Sequence, residues 1–181
     1  DGIRDVAVTG VQTCALPIFA SAGTYTIGAS SNPSYTAATS SSVTVSAGAA
    51  TKLVITGSAS QTAGASQTIT ITAQDGSGNT ATDYTGSKTL TFSGATAAPD
   101  GTKATVTGSG SATDFGTGTS VSFTNGVATA SLVLYKAEAA VVAATDGSIS
   151  ATLTDRLSVT VSGASVNAVN STVSVSASSV M

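Results

Sequence analysis

Apolar and polar residues alternate singly along most of this chain, with the period of two that a half-buried β-strand requires. Residues 67–74 read Gln-Thr-Ile-Thr-Ile-Thr-Ala-Gln, which sets Ile69, Ile71 and Ala73 on one face and threonines on the other. Residues 89–93 alternate in the same way, with Leu90 and Phe92 inward. Residues 52–56 predict a first strand, and residues 132–135, 139–145, 150–153 and 157–161 predict later ones. Turn chemistry separates these runs. Asp75-Gly76-Ser77-Gly78-Asn79 follows the longest of them, and in Pro99-Asp100-Gly101 the proline fixes φ while the glycine accepts positive φ. Residues 121–129 centre on Asn125-Gly126, the preferred two-residue hairpin turn. No apolar period of 3.6 residues lasts beyond a turn or two, so the pattern predicts an all-β sandwich of seven to nine strands.

Sliding the chain against itself exposes a repeat. Ser42-Val43-Thr44-Val45-Ser46 recurs as Ser158-Val159-Thr160-Val161-Ser162, an offset of 116 residues. The same offset lays Tyr25-Thr26-Ile27-Gly28-Ala29 on Val141-Val142-Ala143-Ala144-Thr145. Each copy reads as two strands, joined through a serine-containing turn, that close a domain. The expected division is the closing strands of a preceding unit over 19–49, one complete sandwich over 50–164, and the start of a following unit over 165–181. Ser46-Ala47-Gly48-Ala49-Ala50 serves as the linker into the complete domain.

Residues 1–18 differ in composition, with Arg4, Cys14 and Pro17 and no Ser/Thr alternation. They resemble the in-frame translation of a short-read sequencing adapter. That resemblance implies that Cys14 carries no role and that the natural sequence begins near Phe19.

Composition narrows the function. Ser and Thr make up about a third of the chain and charged residues only 8%, yet 41% of residues are apolar, which argues against disorder from low hydrophobicity and high charge. The six basic residues stand singly and the net charge is −3, so no phosphate-neutralising footprint exists and nucleic-acid binding is not expected. No apolar run approaches the roughly 20 residues of a membrane-spanning helix, and no membrane insertion is expected of this fragment. With no histidine and one cysteine, a zinc finger, a haem ligand set, a Cys–His dyad and a Ser–His–Asp triad are excluded by inventory.

A family resemblance rests on motifs in order. They are Ala49-Ala50-Thr51-Lys52-Leu53-Val54-Ile55, Ala63-Gly64, and Ile71-Thr72-Ala73-Gln74-Asp75-Gly76-Ser77-Gly78-Asn79 leading into Asp83-Tyr84-Thr85-Gly86 and Lys88-Thr89-Leu90-Thr91-Phe92-Ser93-Gly94. Phe123-Thr124-Asn125-Gly126-Val127-Ala128 and Leu157-Ser158-Val159-Thr160-Val161-Ser162 complete the set. Over residues 47–163 the chain resembles immunoglobulin-like repeats of very long bacterial surface and secreted proteins. From about Asn170 the tail resembles the opening of an invasin/intimin-type repeat. The resemblance implies an immunoglobulin-like β-sandwich, an extracellular or cell-surface location, and a non-catalytic spacer role in an adhesin-type shaft whose partners are neighbouring repeats. An extracellular protein or glycan ligand is a further possible partner. The alternative it leaves is a carbohydrate-binding or accessory module beside a secreted glycoside hydrolase.

Candidate chemistry is sparse, and no catalytic residue and no cofactor are expected. Asp75, Asn79 and Asp83 offer oxygens to calcium from one turn region, although their spacing of four is not that of an EF-hand loop. Gly108-Ser109-Gly110 and Gly116-Thr117-Gly118 lack the Lys-Ser/Thr pair of a phosphate loop and read as inter-strand connections. A glycosidase pair would have to come from Asp75, Asp83, Asp100, Asp114, Glu138, Asp146 and Asp155, most of which sit in turns. Lys136 with Glu138, or Lys88 with a nearby Asn or Asp, are candidates for an isopeptide crosslink of the kind some surface immunoglobulin-like domains contain. Asn170-Ser171-Thr172 fits a glycosylation acceptor, read as accidental in a bacterial protein. Tyr84, Phe92, Phe115, Phe123 and Tyr135 are expected in the core or at the sheet rims rather than as a binding platform.

Overall fold

Threonine and the β-branched apolar residues suit a pleated, half-buried surface, and the described residues form strands and their connections with one short 3-10 turn and no α-helix. The computed structural model describes residues 18–29 and 38–164. Most of the adapter-like segment, Cys14 and the tail with Asn170 lie outside the described residues. Four short strands come first: β1 (Gly23–Tyr25), β2 (Gly28–Ala29), β3 (Ala38–Thr39) and β4 (Val43–Val45). β1 pairs antiparallel with β4, and β2 with β3. Next come β5 (Lys52–Thr56), β6 (Ser60–Thr62), β7 (Ser66–Gln74), β8 (Gly86–Ser93) and β9 (Thr105–Thr107). The remaining strands are β10 (Thr113–Asp114), β11 (Gly118–Phe123), β12 (Val127–Val133), β13 (Ala139–Thr145) and β14 (Leu157–Ser162).

The last ten strands form two five-stranded sheets, in the orders β10-β9-β12-β7-β5 and β11-β8-β13-β14-β6. Their inward residues make one core, and Leu53, Ile69, Ile71, Leu90, Val121, Leu132 and Val142 are wholly shielded from solvent within it. The alternation read from the sequence is therefore the alternation the fold buries. Large residues face small ones across the strand pairs: Ile71 opposes Ala128, Ile69 opposes Ala130, Phe92 opposes Ala144 and Val159 opposes Ala140. Because interiors pack to nearly crystalline density, the alanines complement the bulkier side chains. A fully buried Ile, Leu or Val stabilises the fold by about 1.5–3 kcal/mol.

Three expectations are corrected. Ten strands replace the expected seven to nine over 50–164, the additions being the short β6, β9 and β10. Residues 132–135 are not a strand of their own, because Leu132 and Val133 finish β12 and the Leu134 carbonyl accepts the Gly64 N–H instead. Residues 150–153 are not a strand either. Ser150 makes a single bridge to Thr145, its carbonyl accepts the Leu53 N–H, and Leu153–Asp155 turns as a 3-10 helix with Leu153 at φ 48°. That turn is held by an ion pair from Lys52 Nζ to Asp155 Oδ1 at 3.1 Å. The Asn125-Gly126 turn forms as expected, with φ of 48° and 80° at its two central residues and a single bridge from Thr124 to Val127, but it joins β11 of one sheet to β12 of the other and not two paired strands.

β6 gives the domain its polarity. The chain leaves the first sheet after β5, crosses at Gly57, and enters the second sheet as β6, parallel to β14 with Thr62 opposite Ser162. First and last strands thus run the same way. The chain enters at the pole where Gly48 meets Asp75, and leaves at the pole where Val161 donates to the Glu138 carbonyl.

Gly94 tests this packing. It adopts φ +100°, and a Cβ there would lie 1.8 Å from the Val141 carbonyl oxygen, where β8 runs on beside β13 and Val141 N–H donates to the Gly94 carbonyl. Gly94→Ala is expected to lower unfolding free energy by about 3 kcal/mol or more, read from the urea midpoint. Gly76→Ala, with open space around its Cβ position, is expected to stay within about 0.5 kcal/mol. Equal effects would contradict the close approach.

Candidate functional site

The densest polar arrangement in the described residues is the turn between β7 and β8. β7 ends at Gln74, and Gly78 takes φ +85°, so the chain reverses within five residues. Asp75 N–H donates to the Asn79 carbonyl at 2.9 Å, and Gly78 N–H to the Asp75 carbonyl at 3.1 Å. The buried Asp75 carboxylate then accepts from four donors. Oδ1 takes Ser77 N–H at 2.9 Å and Asn79 N–H at 2.8 Å; Oδ2 takes Gly48 N–H at 2.9 Å and the Asn79 amide at 3.0 Å. The Asn79 side-chain amide, followed by Gly48 N–H, holds this carboxyl down to about 2 against the upward pull of burial.

Asn79 also reaches out of the turn. Its Oδ1 accepts Ala22 N–H at 3.0 Å, and its Nδ2 donates to the Ala20 carbonyl at 2.9 Å. The side chain imitates a strand's pair of backbone groups. Phe19 stacks on Tyr25 at 4.7 Å next to this contact.

Of the three calcium candidates, the structure brings Asp75 and Asn79 together and leaves Asp83 exposed, with no hydrogen bond to either. A cation at Asp75 would have to displace N–H donors already engaged. The other carboxylates are turn staples dispersed over the domain. Asp146 accepts the Tyr84 hydroxyl at 2.6 Å and the N–H groups of Ser148 and Ile149, each at 2.8 Å. Burial pulls its carboxyl upward, but the Ile149 N–H and the Tyr84 hydroxyl hold it below the usual range. Burial and Asp146 together push the Tyr84 phenol well up. Asp100 caps Thr102 N–H at 2.9 Å. Glu138 takes the Thr96 N–H at 2.7 Å and the Thr96 hydroxyl, and lies 3.6 Å from Lys136. Asp114 is exposed, and Asp155 pairs with Lys52. Among the described residues, no three of His, Cys, Asp and Glu gather.

The glycine runs serve packing. A Cβ on Gly108 would lie 2.1 Å from the Ser120 carbonyl oxygen, and Gly116 donates its N–H to the Phe92 carbonyl at 2.9 Å. Lys136 forms a half-buried ion pair with Glu138, and Lys88 sits 4.7 Å above the Tyr84 ring. Four of the five aromatics pack in pairs against the core: Tyr84 edge-on to Phe123 and Phe92 tilted against Phe115. Tyr135 lies exposed at the rim. A shallow depression along β6 is lined by Ser60, Gln61, Thr62 and Ser162. Gln61 there is already engaged by Leu132 and Ala65 carbonyls and the Gln67 amide.

The contact of Asn79 with residues 20 and 22 was not legible in the sequence. It joins positions 57 and 59 residues apart through one amide and leaves no periodic trace. No known protein family matches the chain, and no curated protein does.

Asp75 sets an acid dependence with a definite sign. Its folded value of about 2 lies below the roughly 3.9 of an unfolded aspartate, so its stabilising effect is complete above about pH 4 and is lost as pH falls toward 2. Urea midpoints measured across that window are expected to fall in the native chain and to fall less in Asp75→Asn. Parallel curves for the two proteins would contradict the assigned network.

Proposed function

We propose that this chain is a non-catalytic spacer, an immunoglobulin-like repeat from the shaft of a bacterial cell-surface or secreted protein. The observation that carries the reading is the opposite placement of chain entry and exit, set by the parallel pairing of β6 with β14. A module threaded from pole to pole extends a tandem array by its own length. β7, with nine residues at about 3.4 Å each, spans about 30 Å of that axis.

Strand order supports the immunoglobulin-like assignment. β5, β7, β12 and β9 lie side by side in one sheet, and β8, β13 and β14 in the other, matching the ABED and CFG sheets of that sandwich. The repeat supports tandem organisation. β1 pairs with β4 where the offset of 116 places β13 and β14, with the register shifted by one residue: Tyr25 opposes Val43, whereas Val141 opposes Ser158. Polar satisfaction supports an inert role, since among the described residues no buried side-chain nitrogen or oxygen lacks a hydrogen-bond partner.

The test is thermal denaturation of the whole chain with glycan panels, extracellular-matrix proteins, and millimolar calcium or chelator. The spacer reading expects an unmoved midpoint and no saturable binding. A ligand present at a hundredfold its Kd would stabilise the fold by about 2.7 kcal/mol. Such a shift with a glycan would favour the accessory carbohydrate-binding module instead.

A further inference from the structure

We propose that the Asp75–Asn79 turn is a docking clasp that locks the preceding unit onto the entry pole of the sandwich, making the junction a fixed-angle joint. The clasp rests on the spacer reading for its use, while its geometry stands on the contacts alone.

Three hydrogen bonds cross from the turn to the incoming chain. Asn79 contributes two, to the Ala20 carbonyl and the Ala22 N–H, and the Asp75 carboxylate takes Gly48 N–H. They reach two separate stretches. Residues 20 and 22 lead into β1, whereas Gly48 follows β4, and β1 and β4 are paired with each other. A tether at Gly48 alone would leave the preceding unit free to swing about one point of linker. Bonds to both stretches fix its orientation as well as its position. The turn is also preorganised for the task, because Asp75 holds the Asn79 amide at 3.0 Å and its backbone N–H at 2.8 Å. Asn79 therefore loses little further freedom on docking, which is how preorganisation strengthens an interaction.

The repeat supplies a matching surface at the other pole. The offset of 116 carries Ala20 and Ala22 onto Lys136 and Glu138, and Gly48 onto Ala164. These residues sit where β13 begins and β14 leaves the sandwich, since Val161 N–H donates to the Glu138 carbonyl. The exit pole thus presents the matching sequence positions, in a strand pair shifted by one residue, to an Asp-Gly-Ser-Gly-Asn-type turn of a following module.

Backbone ¹⁵N relaxation on the full chain tests the joint. Amides of β1 and β4 are expected to share the tumbling of the sandwich, with order parameters near about 0.85 in its frame. Two variants remove the clasp from opposite sides. Asn79→Ala deletes the gripping amide, and Ala22→Pro deletes the N–H it accepts without touching the sandwich. Both are expected to bring the β1 and β4 order parameters below about 0.6, with the amides of β7 and β12 unchanged in Ala22→Pro. Independent tumbling of the two parts in the native chain would overturn the proposal. So would retention of common tumbling in Ala22→Pro. A ligand found in the denaturation assay would remove the spacer reading and leave this result untouched.

Discussion

The structure depends on complementary volume across one apolar layer. Each sheet offers its inward residues at every second position, and the two sets must fill the space between the sheets without gaps. The chain has few large side chains for this: four phenylalanines, four tyrosines and no tryptophan. It closes the layer by setting Ile, Val and Phe opposite alanines across the strand pairs, as with Ile69 and Ala130 or Phe92 and Ala144. A one-residue slip would turn every inward side chain to solvent. Close backbone approach opposes that slip between β8 and β13 at Gly94, whose backbone meets that of Val141.

From that layer follows the division of labour among polar groups. Outward threonines cover the outer faces of the sheets, and the few charges work locally. Asp75, Asp100, Asp146 and Glu138 each bind backbone N–H groups of a turn or a neighbouring segment. A carboxylate engaged in this way is held ionised and acts as structure. The crossing from β5 to β6 adds the remaining feature, entry to and exit from the sandwich at opposite poles. On the proposed spacer reading, a sandwich of that polarity serves separation and spacing, and the proposed Asp75–Asn79 clasp fixes the angle to the preceding unit.

Much of the fold was legible in the sequence because period two is a property of single residues. Ile69, Ile71, Ala73, Leu90 and Phe92 were assigned to the core from alternation alone and are buried. The strand Ala139–Thr145 and the Asn-Gly turn lay where the pattern put them, although that turn links the two sheets and not a paired hairpin. β6 was missed because Ser60-Gln61-Thr62 has no apolar member, and its place is set by ladder hydrogen bonds to β14. The strand expected at 150–153 was lost to the Lys52–Asp155 pair and the Ser150–Leu53 bond, both long-range partners that no local window contains. The turn at 75–79 was singled out for its oxygens. Those oxygens hold backbone, and nothing in the spacing distinguishes a carboxylate that grips N–H groups from one that awaits a cation.

Native-state hydrogen exchange across increasing urea tests the central claim most directly. If one apolar layer holds both sheets together, amides of β7 and β12 and those of β8, β13 and β14 will reach the same maximal opening free energy and lose protection together. Separate unfolding of one sheet, with the other still protected at its full value, would contradict a shared core.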